Sequence, residues 1–315
     1  MATWDITVNS TSLNTEGSGV SKLTGMGGIP ARDFYNQATY AQDGESSSIG
    51  GIGPGVCGLT VWWDDHDRNT GLQPDSLEDR QAVAWNNWQW LNSLFMTDYL
   101  LTLAVQVPGL STLTDTARTR VALAQLLTNL TPNWNDTMTG GNVVMGFKIP
   151  EGYWHAPAST DGLDANGYKT ITYAAGERYL VLPTDVYPMN GAIEDLQFFI
   201  TNGPNPIKTI QVKANNRGGA TAGYPTMVFT TPRTTGLIPA SGKLVVDCKK
   251  HTALMTTSGG VTENVFKFDG SFGGRPGSLL RLLPPYTMNF TATPYTSGAS
   301  MAAVQVTIKY RPSFI

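Results

Sequence analysis

A mainly β chain of two domains is what the 315-residue sequence predicts, and three features carry that reading. Charged side chains make up only 14% of it, well below the roughly 25% of an average soluble protein. Glycine (34) and proline (19) punctuate short segments rich in β-branched residues, the pattern of pleated strands joined by turns rather than of a helical enzyme. Hydrophobic residues reach 41%, enough for a packed core, and with so little net charge this excludes a disordered chain.

The division into two domains rests on composition shifts. The overall charge of −3 hides an asymmetry: residues 1–154 carry 15 acidic and 7 basic side chains, a net of −8, and residues 155–315 carry 9 and 14, a net of +5. All eight tryptophans (Trp4, Trp62, Trp63, Trp85, Trp88, Trp90, Trp134 and Trp154) fall in the first half. Pro150, Pro157 and Ser159-Thr160-Asp161-Gly162 suit a linker, so the predicted domains are 1–155 and 156–315. No apolar run approaches the length of a membrane span. The start, Met1-Ala2-Thr3-Trp4-Asp5, lacks the basic and apolar regions of a signal peptide, which implies synthesis in a cytosol. There the Asn-x-Ser/Thr sequences at Asn9, Asn129, Asn135 and Asn289 carry no glycan meaning. In a reducing compartment Cys57 and Cys248 are expected to be buried small apolar residues rather than a disulfide.

In the first half, Trp4–Asn9 alternates like a half-buried strand. Gly25 to Gly55 reads as long loops around short strands, and Val56 to Trp63 as a strand running into the turn Asp64-Asp65-His66-Asp67. A helix follows. Ser76 and Asp79 form an acidic version of the capping box, and Ala84, Trp88, Leu91 and Phe95 make one apolar stripe. Trp85 and Trp90 lie off that stripe, so a subunit contact is one use for them. Tyr99 to Val107 reads as a strand. Asp115 is expected to cap a second helix with Val121, Leu123, Leu127 and Leu130 on its buried side, ended by Pro132. Val143 to Ile149 returns as a strand.

From Lys169 onward the pattern is strands only: 169–173, 178–182, 196–201, 207–213, 225–229, 243–247, 265–268, 279–283, 287–292 and 302–310. Regularly punctuated short strands predict an antiparallel β-sandwich. The last strand alternates Val304, Val306 and Ile308 with Gln305, Thr307 and Lys309, and Pro312 is expected to stop pairing beyond it.

Motifs for chemistry are few. Asp64-Asp65-His66-Asp67 offers carboxylates and an imidazole to a hard cation, but it lacks the spacing of a calcium loop and reads as a solvated acidic turn. His155 sits in the linker and His251 follows Lys249-Lys250, so the three histidines give no zinc spacing. Neither Gly-x-Ser-x-Gly nor a phosphate-binding glycine loop occurs. A pair of carboxylates brought together by the fold is the one enzymatic arrangement that sequence cannot exclude. No catalytic, cofactor-binding or metal-binding residue is therefore predicted, and no enzyme. A sugar site commonly stacks its ligand on an aromatic ring, and the second half has no tryptophan.

The last third carries a recognisable pattern. It contains Phe199-Ile200-Thr201-Asn202-Gly203, the strand Ile207 to Val212, and Thr235-Gly236-Leu237-Ile238. Ser241-Gly242-Lys243-Leu244-Val245-Val246-Asp247 and Leu282-Leu283-Pro284-Pro285 follow, then the strand Met288 to Thr291. It closes on Val304-Gln305-Val306-Thr307-Ile308-Lys309-Tyr310-Arg311-Pro312. This resembles the C-terminal galectin-like domain of the distal tail protein (Dit) family of long-tailed, siphovirus-type bacteriophages. The order of elements in the first half is similar to that family's belt domain, a β-sandwich or barrel with two helices. Pro285 stands where the family often has Gly, and Phe314 where it often has Trp; a turn and an aromatic are kept. The His-x-Asn-x-Arg strand of sugar-binding galectins is absent, so the resemblance implies no lectin activity.

The resemblance implies a structural virion protein at the tail tip, made in the host cytoplasm. Six belt domains would form a homohexameric ring that joins the tail tube to the tail-tip hub. Its partners would be the tail tube protein, the tape measure protein, the hub and receptor-binding proteins docked on the ring. DNA would pass only transiently through the lumen, with no membrane and no cofactor. A first domain of net charge −8 fits such a passage, because lysines and arginines would hold phosphates. Two alternatives stand beside this. A capsid or tail-tube subunit would share the β-sandwich, but a capsid subunit tends to carry a basic arm, and no basic residue precedes Lys22. A secreted glycan-binding adhesin would need a signal sequence and an aromatic platform.

Overall fold

The structure, a computed structural model, describes residues 5–25, 32–38, 45–52, 55–96, 100–107, 119–158, 162–183, 189, 191, 193, 195–214, 226–231, 236–250, 252–265, 273–274, 282 and 284–314, with the backbone alone for 32–38, 45–52, 226 and 273–274. It is mainly β. It divides into two compact units, Met1–Pro157 with Phe314–Ile315, and Ala158–Ser313.

The first unit contains β1 (Asp5–Val8), β2 (Thr11–Ser12), β3 (Ser18–Thr24), β4 (Arg32–Ala38), β5 (Glu45–Ile52), β6 (Gly55–Trp63), α1 (Leu77–Phe95), β7 (Leu101–Gln106), β8 (Thr119–Leu126), β9 (Asn133–Trp134), β10 (Gly141–Ile149) and β11 (Trp154–His155). Its main sheet runs β2-β1-β7-β8-β10-β6-β3. The β6–β10 pair is antiparallel from Gly141 opposite Trp63 to Ile149 opposite Gly55. Period-2 alternation sends Cys57, Leu59, Val61 and Trp63 inward from β6, and Val143, Met145, Phe147 and Ile149 inward from β10.

Helix α1 lies on this inner face. The Ser76 hydroxyl accepts the Asp79 N–H at 3.1 Å and donates to the Asp79 carboxylate at 2.6 Å, so the predicted cap forms. Ala84, Trp88, Leu91 and Phe95 are buried as their spacing predicts, with Asn87 beside them. Trp88 meets Trp63 at 4.9 Å and Phe95 meets Phe147 at 5.9 Å between ring centroids. Burying Leu91 and Phe95 contributes about 1.5–3 kcal/mol each, which fixes the helix to the sheet.

One reading of this half is corrected. The segment expected to be a second helix is strand β8, paired with β7 along its length and with β10 at its end. Its leucines suggested a helical stripe, yet Leu123 and Leu127 are exposed, and Arg120, Ala122 and Ala124 face inward. Period 2 wins because small alanines fit the crowded inner face and both flanking strands satisfy the backbone. Asp115, the expected cap, lies outside the described residues, and Pro132 ends no helix. The stretch Gly25–Gly55, read as loops around short strands, contains β4 and β5 as strands of 7 and 8 residues paired with each other. Their register is set by the pairing itself, which local composition does not display.

The second unit contains β12 (Lys169–Thr172), β13 (Tyr179–Val181), β14 (Leu196–Thr201), β15 (Ile207–Ala214), β16 (Thr226–Thr230), β17 (Lys243–Asp247), β18 (Thr252–Thr256), β19 (Thr262–Asn264), β20 (Gly273–Gly274), β21 (Thr287–Pro294) and β22 (Gln305–Tyr310); β23 (Ser313–Phe314) ends the described chain. Two antiparallel sheets form a sandwich, one ordered β12-β22-β14-β17-β18-β19 and the other β13-β21-β15-β16-β20. Phe198, Ile200, Leu244, Val246, Val306 and Ile308 fill its core from the first sheet, and Ile210, Val212, Met227, Phe229, Met288 and Phe290 from the second.

Strand β22 is central, between β12 and β14, so the expected closing strand is interior to its sheet. The strand expected at 265–268 is instead β19, three residues earlier; Val265 is buried and donates its N–H to the Ala253 carbonyl at 2.8 Å, and 266–268 lie outside the described residues. Leu282 makes a single bridge to Ile193, and the rest of 279–283 is outside the described residues. The hairpin partner β18 carried no prediction. Pro312 does not stop pairing: β23 follows it and pairs β11. Proline removes one N–H donor but leaves the residues after it free to pair.

Candidate functional site

The acidic turn after β6 is where the sequence places its densest set of ionisable groups. Asp64, Asp65 and His66 come together, with ligand-type atoms all within 4.8 Å of one another. Asp67 does not join them; its carboxylate accepts from the Asn69 and Thr70 N–H groups at 3.0 and 2.9 Å and from the Thr70 hydroxyl at 3.0 Å. Those hydrogen bonds hold it below the usual carboxylate range.

Asp65 is buried, which corrects the reading of the turn as merely solvated. Arg80 donates to it at 2.5 Å and Gln73 at 3.0 Å. Burial pushes this carboxyl up, but the hydrogen bonds from Arg80 and Gln73 together with the Arg80 charge outweigh it and leave the group below its ordinary value. The turn's own carbonyls are held too: Asn87 on α1 donates to the carbonyls of Asp64 at 2.9 Å and His66 at 2.8 Å. Gly17 completes the fit, because a Cβ there would come within 2.2 Å of the His66 carbonyl oxygen. The arrangement fastens the β6 turn to α1, and a cation would have to displace a guanidinium from Asp65.

Aromatic side chains surround this latch. Trp85 stacks on Trp134 with ring centroids 5.8 Å apart, and Trp134 stands edge-on to Trp63 at 5.2 Å. The Arg68 guanidinium lies 4.9 Å over Trp90. The two tryptophans off the helix stripe therefore have partners within the unit, although Trp85 keeps half its surface exposed.

In the second unit the polar side chains gather at strand ends. Buried Asp195 accepts from the Tyr168 hydroxyl at 2.7 Å and from Lys249 at 3.2 Å. Buried Asp247 accepts from Gln197 at 3.0 Å and from the Lys250 N–H at 2.9 Å. Burial, then Asp195, drive the Tyr168 phenol well above its usual range, so its proton stays put. These hydrogen bonds brace the sheet.

His155 pairs with Glu151 at 3.0 Å, and His251 lies outside the described residues. Both cysteines are buried and form no disulfide. Burial pushes the Cys57 thiol up to about 12, far from a reactive thiolate. Among the described residues of the second unit, Tyr179 is the only strongly exposed aromatic.

What the sequence reading missed is a surface. The outer face of β6 and β10 carries exposed Val56 and Val144, joined by Leu127 just after β8. The signal was present in the strands themselves, because Val143-Val144 puts apolar residues on both faces, as in strands covered on both sides.

The whole chain aligns with the whole of the SPP1 Dit protein, described as a paradigm of the hub adsorption apparatus in phages that infect Gram-positive bacteria, at a TM-score of 0.50 and 8% identity. The chain has the fold of a phage distal tail protein. Two structures of the phage p2 baseplate in its activated conformation, with Sr and with Ca, also align over their full length, at 9% and 10% identity but a TM-score of only 0.32. No family model and no curated protein matches the sequence. A mainly β distal-tail-protein fold agrees with the resemblance read from the last third of the sequence.

Proposed function

We propose that the protein is a distal tail subunit that forms a ring at the tail tip. The likeness of the whole chain to SPP1 Dit is the observation that carries this reading. In it, residues 1–155 are the ring-forming domain and residues 156–315 are the projecting galectin-like domain. Six copies close the ring, join the tail tube and tape measure protein to the hub, and give receptor-binding proteins a platform. The protein works by holding others in register, without turnover and without a cofactor.

Physical support comes from the character of the first unit. Its exposed valines and leucines outside the core suit a body covered by neighbours. The net −8 of residues 1–154 suits a lumen through which DNA slides without being held. Negative-stain imaging of the purified full chain tests the reading. Sixfold rings are the expected particles; closed shells would favour a capsid subunit, and single small particles at micromolar concentration would refute assembly.

A further inference from the structure

The first unit exposes two unlike apolar patches. On the outer face of the sheet, Val144 (66% exposed) and Val56 (61%) flank Gly58 and Gly146, which sit directly opposite each other. Leu127 closes the third side, its N–H donating to the Gly146 carbonyl at 2.8 Å. The Thr24 and Thr128 side chains lie over the glycine pair, Thr24 donating to the Gly58 carbonyl at 3.3 Å and Thr128 accepting the Gly146 N–H at 3.1 Å. Strands β3, β6 and β10 contain no carboxylate, and their only charges are Lys22 and Lys148.

The second patch lies on α1 and the segment after β9. Leu77 (55%), Trp85 (49%) and Met138 (49%) are exposed there. Trp85 stacks on Trp134, and Gln81 donates to the Thr137 carbonyl at 2.8 Å, which holds that segment against the helix. Asp75, Glu78 and Asp136 surround this patch, all exposed. One patch is thus apolar with a basic fringe, and the other apolar with an acidic fringe.

We infer that the sheet patch of one copy receives the α1 patch of the next copy, a head-to-tail contact that repeats around the ring. This rests on the ring reading above and adds which faces meet. A ring needs two different surfaces on each subunit, since a contact of one patch with itself closes a pair and stops. Self-contact of either patch would also set like charges against each other, whereas head-to-tail contact sets Lys22 and Lys148 against Asp75, Glu78 and Asp136. That pairing offsets part of the repulsion between first domains of net charge −8.

Two variants of the full chain test it. The sheet variant carries Val56→Asp and Val144→Asp, and the helix variant carries Leu77→Lys and Met138→Lys. All four side chains face solvent, so both variants should match the parent in circular dichroism and melting. Light scattering should then show each variant as a monomer at concentrations where the parent assembles, a loss of at least tenfold in affinity. Mixed in equal amounts they should form a complex of two chains and no larger, because each supplies the intact face that the other lacks. A milder change, Lys148→Glu, should reduce assembly without abolishing it. Variants that assemble like the parent, or a mixture that stays monomeric, would overturn the inference while leaving the ring intact. A parent chain that is itself monomeric would instead remove the ring reading on which the inference stands.

Discussion

The two units dispose of their apolar side chains differently. Among the described residues, ten large hydrophobic side chains are exposed in the first unit (Val56, Leu72, Leu77, Trp85, Met96, Leu100, Leu123, Leu127, Met138 and Val144). Four are exposed in the second (Tyr179, Val181, Leu254 and Val261). The second unit is a sandwich of two sheets, and its outer positions carry threonine pairs such as Thr172 with Thr307 at 2.9 Å. The first lays one helix over one face of its sheet and leaves Val56, Leu123, Leu127 and Val144 exposed on the other. A unit complete in itself has little need of apolar residues outside its core, and a unit built to be covered does. Under the proposed ring, the difference assigns the subunit contacts to the first unit.

The largest effect that can test this comparison comes from Ile308→Asp. Ile308 is fully buried on the central strand β22. An unpaired charge there costs at least about 3–5 kcal/mol, against about 5–15 kcal/mol for a whole domain. Calorimetry should lose the second unit's transition and keep the first's. If both vanish together, the units melt as one body and the comparison fails.

Phe314→Ala sharpens the boundary. Phe314 lies at the end of the chain, but it belongs to the first unit, buried 3.6 Å from the Arg120 guanidinium. Truncating a buried phenylalanine costs about 3 kcal/mol, and the lowered transition should be the first unit's. Removal of residues 303–315 should therefore destabilise the first unit as well as the second, since it takes Phe314 with it.

Asp65→Asn should destabilise the first unit by about 1–2 kcal/mol in urea titration, less than for a fully buried pair because Arg80 is partly exposed and solvent screens it. The sign with pH follows from the lowered pKa. This contribution is complete above the unfolded carboxyl's value and is lost as pH falls through the folded one. Ser76→Ala removes the α1 cap and should cost the same unit about 1 kcal/mol.

The smallest effect is in the second unit. The Lys309 hydrogen bond, at 2.7 Å, followed by the Tyr168 N–H, lowers Asp164 to about 2. Its contribution is present above pH 3.8 and fades as pH falls toward 2. Asp164→Asn should flatten the second unit's acid melting curve in that window and leave the first unit's unchanged.

How much was legible follows the range of the interactions. Helix α1 could be read because Ser76, Asp79 and the Ala84–Phe95 stripe are local signals. Strand β22 could be read because alternation alone sets its faces. The second helix could not, because Leu123 and Leu127 mimic a helical stripe and only pairing with β7 and β10 shows them facing outward. The acidic turn was visible as a cluster, but its meaning lay in Arg80 and Asn87, which arrive from a different element. The apolar outer face of β6 and β10 became a surface only when register placed Gly58 opposite Gly146.

Native mass spectrometry of the intact chain, at concentrations from nanomolar to tens of micromolar, tests the central claim most directly. A structural ring subunit should appear as a closed species at six times 33.9 kDa, with no ladder of larger oligomers beyond it. A folded chain that stays at 33.9 kDa across the whole range would contradict the account.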